Sequence, residues 1–236
     1  LAMSSAASDV YKRQDIYGPS IPKLIGHKQK PKVSKTGSIL PIEKYGISLM
    51  SIGFLVPEDT PMIWRGPMVI SAVNQMLNDV QWGELDFLIV DMPPGTGDVQ
   101  LTMAQKVPIS GAVIVSTPQD LALIDAKKGI EMFKKVNVPI LGMIENMSLF
   151  ICPHCRNETH IFGLEGAKLE SKKQNVDFLG DIPLEIDLRE SSDNGKPIMY
   201  SNSESSVSKK FLHIARSVVK KMDNKSKINT PNIVIN

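Results

Sequence analysis

Apolar residues along this chain of 236 residues occur either as short unbroken runs or at helical spacing. Three short runs, at residues 87–90, 111–116 and 139–144, are typical of strands that a parallel sheet buries on both faces. Helical spacing predicts amphipathic helices within 64–80, 120–136 and 207–222, and a short helix at 162–173. Further strands are predicted at 45–55 and 176–180. Alternating strands and helices predict one α/β domain with a doubly wound, mostly parallel sheet.

Composition narrows the class of protein without naming a function. The 42% hydrophobic and 22% charged fractions are ordinary for a globular domain, and a net charge of +2 gives no sign of nucleic acid as a partner. No apolar run reaches the roughly 18 residues that a transmembrane helix needs, so no stable insertion into a membrane is expected.

The two ends of the chain differ from its middle. Residues 1–14 are small and polar and connect to no downstream pattern, so we expect them to be a leader without a part in the fold. The predicted domain covers 15–222, and the polar tail 223–236 is expected to fray.

The stretch at 87–98, FLIVDMPPGTGD, joins a predicted strand to a loop that is rich in proline and glycine. Ligands of open α/β sheets bind beyond the carboxyl ends of strands, which is where Asp91 and Gly95 fall. A carboxylate there can hold Mg²⁺, and glycine amides can approach a phosphate closely. The alternative is an acidic turn without a chemical role.

Cys152 and Cys155 are the only cysteines, in a C-P-H-C sequence. Three chemistries are open to them. A zinc site would need two more ligands, for which His154 and His160 are candidates. A redox dithiol would need a helix N-terminus to lower a thiol pKa. An iron–sulfur cluster needs four thiolates, so two chains would each have to give a C-x-x-C pair.

Several motifs together resemble the Mrp/ApbC family of iron–sulfur cluster carrier ATPases, of the deviant P-loop class that also contains the nitrogenase iron protein and MinD. The resemblance covers about residues 15–220, and its CPHC…THIFG form is closest to alphaproteobacterial members and to their mitochondrial relative in complex I assembly. The matching stretches are DIYGPSIP (15–22), WRGPM (64–68), LDFLIVDMPPGTGDVQLT (85–102), STPQDLALIDAKKG (116–129), MIENMS (143–148), CPHC (152–155), THIFG (159–163) and GDIPLEIDLRESSDNGKPI (180–198).

The resemblance implies a fold of the deviant P-loop (SIMIBI) type, and it also exposes a departure. Members of the family begin with a phosphate-binding loop, but this chain contains no G-x-x-x-x-G-K segment followed by Ser or Thr. We therefore expect an N-terminally truncated domain that lacks its first strand, phosphate loop and first helix. Because that loop supplies the amides and lysines that neutralise a triphosphate, weak ATP binding and poor hydrolysis are expected.

The resemblance assigns roles to the remaining nucleotide residues. Asp15 corresponds to the switch I aspartate, which orients or deprotonates the attacking water. Asp91 corresponds to the switch II aspartate, which contacts Mg²⁺ through water, and Gly95 offers its amide to the γ-phosphate. Asn146 corresponds to the asparagine that reads the adenine edge.

For Cys152 and Cys155 the resemblance implies a 4Fe–4S cluster shared between the two chains of a homodimer and passed on to apoprotein recipients. The bulky residues at 149–151 beside the cysteines suit a dimer interface. The implied compartment is the bacterial cytoplasm or, for the mitochondrial relative, the matrix. Two rival functions are a zinc-stabilised interaction module and a MinD-like regulator that binds a membrane through its C-terminal helix.

Overall fold

The computed structural model describes residues 2–5, 20–35, 37–55, 66–92 and 98–226. Two of the predicted site residues, Asp15 and Gly95, lie outside these ranges, as do most of the leader and the last ten residues of the tail.

A six-stranded sheet forms the centre of the molecule, with β4, β1, β5, β6 and β7 in spatial order and β8 also paired with β6. All its pairings are parallel except that of β7 with β6. A separate antiparallel pair, β2 and β3, lies outside it. The strands are β1 (Ala2–Ser5), β2 (Ile42–Lys44), β3 (Ile47–Leu49), β4 (Val90–Met92), β5 (Ala112–Ser116), β6 (Ile140–Ile151), β7 (Glu158–Thr159) and β8 (Phe178–Leu184).

Helices connect the strands, and within the described ranges none is long and apolar enough to cross a membrane. The predicted helices at 64–80, 120–136, 162–173 and 207–222 are present with shifted ends. The helices are α1 (Ser20–Leu24), α2 (Gly66–Asn78), α3 (Asp98–Lys106), α4 (Asp120–Lys135), α5 (Gly166–Lys173), α6 (Ile186–Asp193), α7 (Ile198–Ser201) and α8 (Ser206–Ser226).

Strands β5 and β6 are buried on both faces, as their unbroken apolar runs predict. Ile114 and Met143 belong to a core that includes Phe133 of α4. Val113, the neighbour of Ile114 along β5, belongs to a second core with Val207 of α8. Because successive strand residues point to opposite faces, these two cores are the two faces of one sheet. This arrangement confirms the predicted α/β class.

Strand β4 departs from the same prediction. The apolar run 87–90 was expected to be buried on both faces, but the strand covers only Val90–Met92. Phe87 and Ile89 are 44% and 60% exposed, whereas Met92 is 4% exposed. Alternation along the strand therefore gives one covered face and one face that is open to solvent.

The predicted strand 45–55 is instead a small hairpin followed by a turn. Strands β2 and β3 are joined by Tyr45 and Gly46, whose φ angles are 54° and 74°. Two successive positive φ values are the signature of a type I′ hairpin turn, which reverses the chain at the start of the predicted strand. A 3-10 turn, Ile52–Phe54, follows.

The leader also differs from its prediction, because Ala2–Ser5 forms β1 in the middle of the sheet. Ala2 pairs with Val90 on one side and with Ala112 on the other. Without a strand at this position, the facing backbone groups of β4 and β5 would lack hydrogen-bond partners, at a cost in free energy. The expectation that residues 1–14 take no part in the fold therefore does not hold for these four, and β1 takes the place of a central strand that was expected to be missing.

Candidate functional site

The carboxyl ends of β5, β6 and β8 lie side by side at one edge of the sheet. Ser116 is level with Glu145, and Glu145 is level with Asp181. Asp91 on β4 is level with Met3, which is level with Val113. This register places Asp91 about three residues before the end of β5, on the far side of β1 from it. The carboxyl ends of the strands are where an open α/β sheet binds its ligands.

Asp91 is the one predicted catalytic residue whose position is described. Its side chain is exposed. The protein around it nevertheless removes part of its hydration, and this desolvation raises the pKa of the carboxyl. A desolvated carboxylate that water can still reach is suited to an interaction with a cation, since a positive charge would offset the lost hydration.

Asn146 follows Glu145 at the carboxyl end of the part of β6 that pairs with β5. It is half-buried, and its side-chain oxygen accepts a hydrogen bond from the Met147 backbone N–H at 3.0 Å. Three strand spacings separate β4 from β6, or about 14 Å across the sheet. A ligand that reaches both Asp91 and Asn146 must therefore be extended, with a cation-linked end and a hydrogen-bonding end.

Glu145 is a buried carboxylate that sequence reasoning did not single out. It is 3% exposed, and its Oε2 accepts a hydrogen bond from the Ala167 backbone N–H at 2.8 Å, at the start of α5. Burial raises the pKa of this carboxyl, while the Ala167 hydrogen bond opposes the shift and Asp181 adds to it. Glu145 thus ties the first turn of α5 to the strand end.

Gly166, the first residue of α5, allows that helix to approach the loop after β5. A Cβ at this position would lie 2.4 Å from the Pro118 carbonyl oxygen and 3.0 Å from Leu123. Since real Cβ atoms do not approach backbone atoms so closely, only glycine fits here without a shift of the backbone. The connection between β7 and α5 is therefore packed against the end of β5.

Strand β6 continues beyond the sheet edge and carries the cysteines at its tip. The prediction ended this strand at residue 144, but it runs to Ile151. The backbone bends at Met147, which has a φ of 55°, and the register with β8 shifts between Asn146 and Phe150. Beyond the bend, Phe150 pairs with Thr159 of β7. We call residues 148–159 the cysteine hairpin.

Polar contacts anchor the base of the cysteine hairpin. The Ser148 hydroxyl donates to Asp181 Oδ2 at 2.9 Å, and Lys210 Nζ of α8 lies 2.7 Å from the same oxygen. Partial burial raises the pKa of Asp181, but the hydrogen bonds from Lys210 and Ser148 outweigh this effect and leave the pKa lowered. His160 Nδ1 lies 3.3 Å from the Ser148 carbonyl oxygen.

The C-P-H-C turn closes the tip of the hairpin. The Cys152 N–H donates to the Asn157 carbonyl at 3.0 Å, and the Arg156 N–H donates to the Cys152 carbonyl at 2.9 Å. Arg156 has a φ of 61°, which lets the chain reverse after Cys155. Cys152 is partly exposed and Cys155 is exposed, and both are free thiols.

The Cys152 sulfur is prepared to act as a thiolate. Hydrogen bonds from the backbone N–H groups of Cys155 and His154 lower the pKa of the Cys152 thiol, and a hydrogen bond with the Cys155 thiol adds to the effect. The thiolate is the form that binds metals, so the lowered pKa favours metal binding by the Cys152 sulfur.

The donor set around this pair is incomplete for a site within one chain. Among the residues whose positions are described, no group of three or more His, Cys, Asp and Glu side chains gathers to hold a metal ion. A structural zinc site needs four such ligands. The turn also stands at the tip of a β-hairpin, whereas the dithiol alternative places its cysteines at a helix N-terminus.

A cavity of about 330 Å³ lies away from these residues, at the amino ends of β4 and β5. Val90 and Met92 line it. Because these two residues alternate with Asp91 along β4, the cavity belongs to the opposite face of that strand. It adds nothing to the candidate site.

Glu145 and Asp181 are the site residues that the sequence interpretation passed over. Each is a charged residue at the end of an apolar run, PILGMI for Glu145 and FLG for Asp181. A charged residue at that position is the signal that directed attention to Asp91, and it would have found these two as well.

Comparison with known proteins gives the family. Residues 12–219 match the family described as ParA: NUBPL iron-transfer P-loop NTPase. The iron–sulfur cluster transfer protein NUBPL of Mus musculus is 52% identical over 227 residues, which are 94% of this chain and 71% of that protein. The iron–sulfur cluster carrier protein of Aquifex aeolicus is 48% identical over 213 residues, 89% of this chain and 58% of that protein.

Solved structures agree with this relationship. A nucleotide-binding protein from Archaeoglobus fulgidus, in complex with ADP, has a TM-score of 0.65 at 37% identity, covering 83% of this chain and 73% of that one. MinD of Pyrococcus furiosus has a TM-score of 0.53 at 18% identity, over 93% of this chain and 85% of that one, which is a likeness of fold alone. The chain therefore belongs to the ParA-type NUBPL/Mrp family of iron–sulfur cluster carriers.

Proposed function

We propose that this protein carries a 4Fe–4S cluster between the cysteine turns of two identical chains and passes it to apoproteins. The observation that carries the proposal is the C-P-H-C turn itself, which presents two free thiols, one with a lowered pKa, at an exposed hairpin tip. A cluster of this type takes four thiolates, so two copies of the turn complete its ligand set.

Transfer to a recipient needs no change of oxidation state. Each thiolate of the recipient replaces one cysteine sulfur at an iron atom, and the released sulfur of Cys152 or Cys155 stays a thiolate or takes a proton from water. The exposed position of Cys155 supports this exchange, since an incoming thiolate needs access to the metal–sulfur bond.

The nucleotide part of the proposal rests on family membership and on the strand-end residues. Asp91 would hold Mg²⁺ through water, Gly95 would contact the γ-phosphate, Asp15 would orient the attacking water, and Asn146 would bind adenine. ATP bound in this way would control how firmly the cysteine hairpins hold the cluster. This chain has no G-x-x-x-x-G-K segment, so we expect weak MgATP binding and slow hydrolysis from it.

The compartment remains part of the proposal. The relative from Arabidopsis thaliana is named an iron–sulfur protein required for NADH dehydrogenase, mitochondrial. The mitochondrial matrix and the bacterial cytoplasm both keep thiols reduced, as two free cysteines that bind a cluster require.

Anaerobic reconstitution with iron and sulfide tests the proposal. We expect visible absorption, about four iron atoms per two chains, and a dimer by light scattering only after reconstitution. Cys152→Ser and Cys155→Ser should each lose the absorption and the dimer. His160→Ala should keep both, as should His213→Ala, a matched control at an exposed position on α8.

The alternatives give different results in the same experiment. A colourless monomer that holds one zinc ion per chain would overturn the carrier proposal in favour of a zinc-stabilised module. A cluster that forms equally well in the cysteine variants would show that Cys152 and Cys155 are not its ligands.

A further inference from the structure

The joint between the sheet and the cysteine hairpin contains one residue with a left-handed backbone, Met147. From Ile144 to Asn146, strand β6 lies in register with β8. The register is lost after Asn146 and is found again at Phe150, which pairs with Leu184. Met147, at the start of the stretch 147–149 that does not pair with β8, therefore helps to set the direction of the hairpin.

That conformation is one that Met does not favour by itself. With a φ of 55°, Met147 is in the left-handed region, where contact between the Cβ and the backbone disfavours residues other than glycine. Asn and Asp enter this region more readily than Met. Something outside the Met147 side chain must stabilise the bend.

The Asn146 side chain supplies that stabilisation. Its Oδ1 accepts a hydrogen bond from the Met147 backbone N–H at 3.0 Å. This hydrogen bond spans the peptide unit that joins Asn146 to Met147. The next residue, Ser148, is then held by its hydrogen bond to Asp181 and by the contact of its carbonyl with His160. The bend is thus fixed from the strand side by Asn146 and from the hairpin side by Ser148.

We propose that Asn146 is a positioning residue for the cysteine turn, because its side-chain oxygen holds Met147 in the conformation that aims the hairpin. A consequence rests on the proposed function. If adenine binds the Asn146 amide, turning that amide toward the base weakens its bond to Met147, and the hairpin loosens. Nucleotide would then act on the cluster ligands through one side chain and one backbone bond.

Residue-resolved hydrogen exchange on the full apo chain tests the positioning role without a cluster or a nucleotide. Asn146→Ala removes the acceptor, and we expect the amides of residues 148–151 to exchange roughly fivefold faster, the change that one hydrogen bond supports. Asn146→Asp keeps an oxygen acceptor and should exchange like the wild type.

A second variant keeps the test valid if Asn146→Ala only destabilises the fold. In the double variant Asn146→Ala/Met147→Asn, the new Asn favours the left-handed bend, so protection of residues 148–151 should return. Asn194→Ala, an exposed asparagine at the end of α6, is the matched control and should change nothing at the hairpin. Equal exchange in Asn146→Ala and the wild type, or no recovery in the double variant, would overturn the positioning role.

MgATP tests the consequence separately. With MgATP retained in equilibrium dialysis, faster exchange at 148–151 in the wild type supports the coupling, and unchanged exchange refutes it. A failure to retain MgATP at all would count against the nucleotide part of the proposed function, whereas the positioning role is decided by the variants alone.

Discussion

Strands β4 and β6 carry the two halves of the candidate site, yet they are supported very differently. Around β6, Glu145 and Ser148 each have a hydrogen-bonded partner on another element, and Met143 is completely buried. On β4, Asp91 stands on a face where Ile89 is 60% exposed. Hydrogen bonds and packing therefore hold the part of the site around β6 in place. The face of β4 that carries Asp91, by contrast, is not covered by anything in the described structure.

This difference indicates which chemistry the chain can perform unaided. Cluster binding as we propose it would need only the thiols that two copies of the cysteine turn present. Nucleotide binding at Asp91 would need the amides and lysines of a phosphate loop, and the sequence contains no such motif. We expect cluster binding to survive treatments that abolish the response to nucleotide.

The largest effect that separates the two halves should come from a matched pair of isoleucine truncations, one at a buried and one at an exposed position. Ile144 of β6 is 7% exposed and packs in the core under α8, so Ile144→Ala should cost about 2–5 kcal/mol of unfolding free energy. Ile89→Ala, at an exposed position, should stay within about 0.5 kcal/mol. Urea unfolding monitored by circular dichroism measures both. Equal losses would show that β4 is as well packed as β6.

The next effect concerns the buried carboxylate of β6. Glu145→Ala leaves the Ala167 N–H without its acceptor, which should cost about 1–3 kcal/mol. The raised pKa of Glu145 gives the wild type a pH dependence, because the folded state binds a proton more tightly than the unfolded state. Wild-type stability should fall as the pH rises through the range between the two pKa values. Glu145→Gln, which does not titrate, should lack this part of the fall in pH-dependent urea unfolding. If the pH profile of Glu145→Gln equals that of the wild type, the raised pKa of Glu145 is wrong.

A smaller effect tests the anchor of the hairpin. Asp181→Asn should lower stability at neutral pH by about 1 kcal/mol, since it weakens the contacts with Lys210 and Ser148. Because the folded-state pKa of Asp181 is lowered, its contribution is present above the unfolded-state pKa and is lost as the pH falls through the folded-state value. The free energies of unfolding of Asp181→Asn and the wild type should therefore become equal at acid pH.

Asp125→Asn is the matched control for this anchor. Asp125 pairs with Lys128 on the exposed surface of α4, where ion pairs contribute little. We expect a change within about 0.5 kcal/mol in the same thermal or urea melts. If Asp125→Asn is as costly as Asp181→Asn, the Asp181 contacts are ordinary surface pairs.

The smallest effect concerns the shape of the cysteine turn. The Arg156 backbone is in the left-handed region, so Arg156→Gly removes a steric cost of about 1 kcal/mol. The added conformational entropy of glycine in the unfolded chain offsets this gain by a similar free energy. For Arg156→Gly we expect almost no net change in the free energy of unfolding and full retention of iron by the reconstituted protein. Arg156→Val, which is β-branched, should weaken iron retention in a chelator challenge. Equal retention by both variants would mean that the turn does not depend on this conformation.

The sequence predicts the buried centre of the molecule better than its edges. Unbroken apolar runs located β5 and the start of β6, and helical spacing located α4 and α8, because these patterns record burial directly. The continuation of β6 was missed since Glu145, Asn146 and Ser148 interrupt the apolar run. Their place in the strand depends on Met147, Asp181 and β7, which are contacts that a local pattern does not contain.

The candidate site was predictable to a similar extent. The spacing of Cys152 and Cys155 and the motifs around Asp91 and Asn146 single these residues out, and their roles stay predictions. The link from Ser148 through Asp181 to Lys210 joins residues that are far apart in the chain, so only the folded structure reveals it.

Transfer of the cluster is the most direct measurement of the central claim. The reconstituted protein is mixed anaerobically with an apoprotein that is inactive without a 4Fe–4S cluster, in the presence of an iron chelator. The account predicts that the recipient regains activity despite the chelator, and that Cys152→Ser gives none. Recovery that the chelator abolishes, or that free iron and sulfide match, would contradict the assignment of this protein as a cluster carrier.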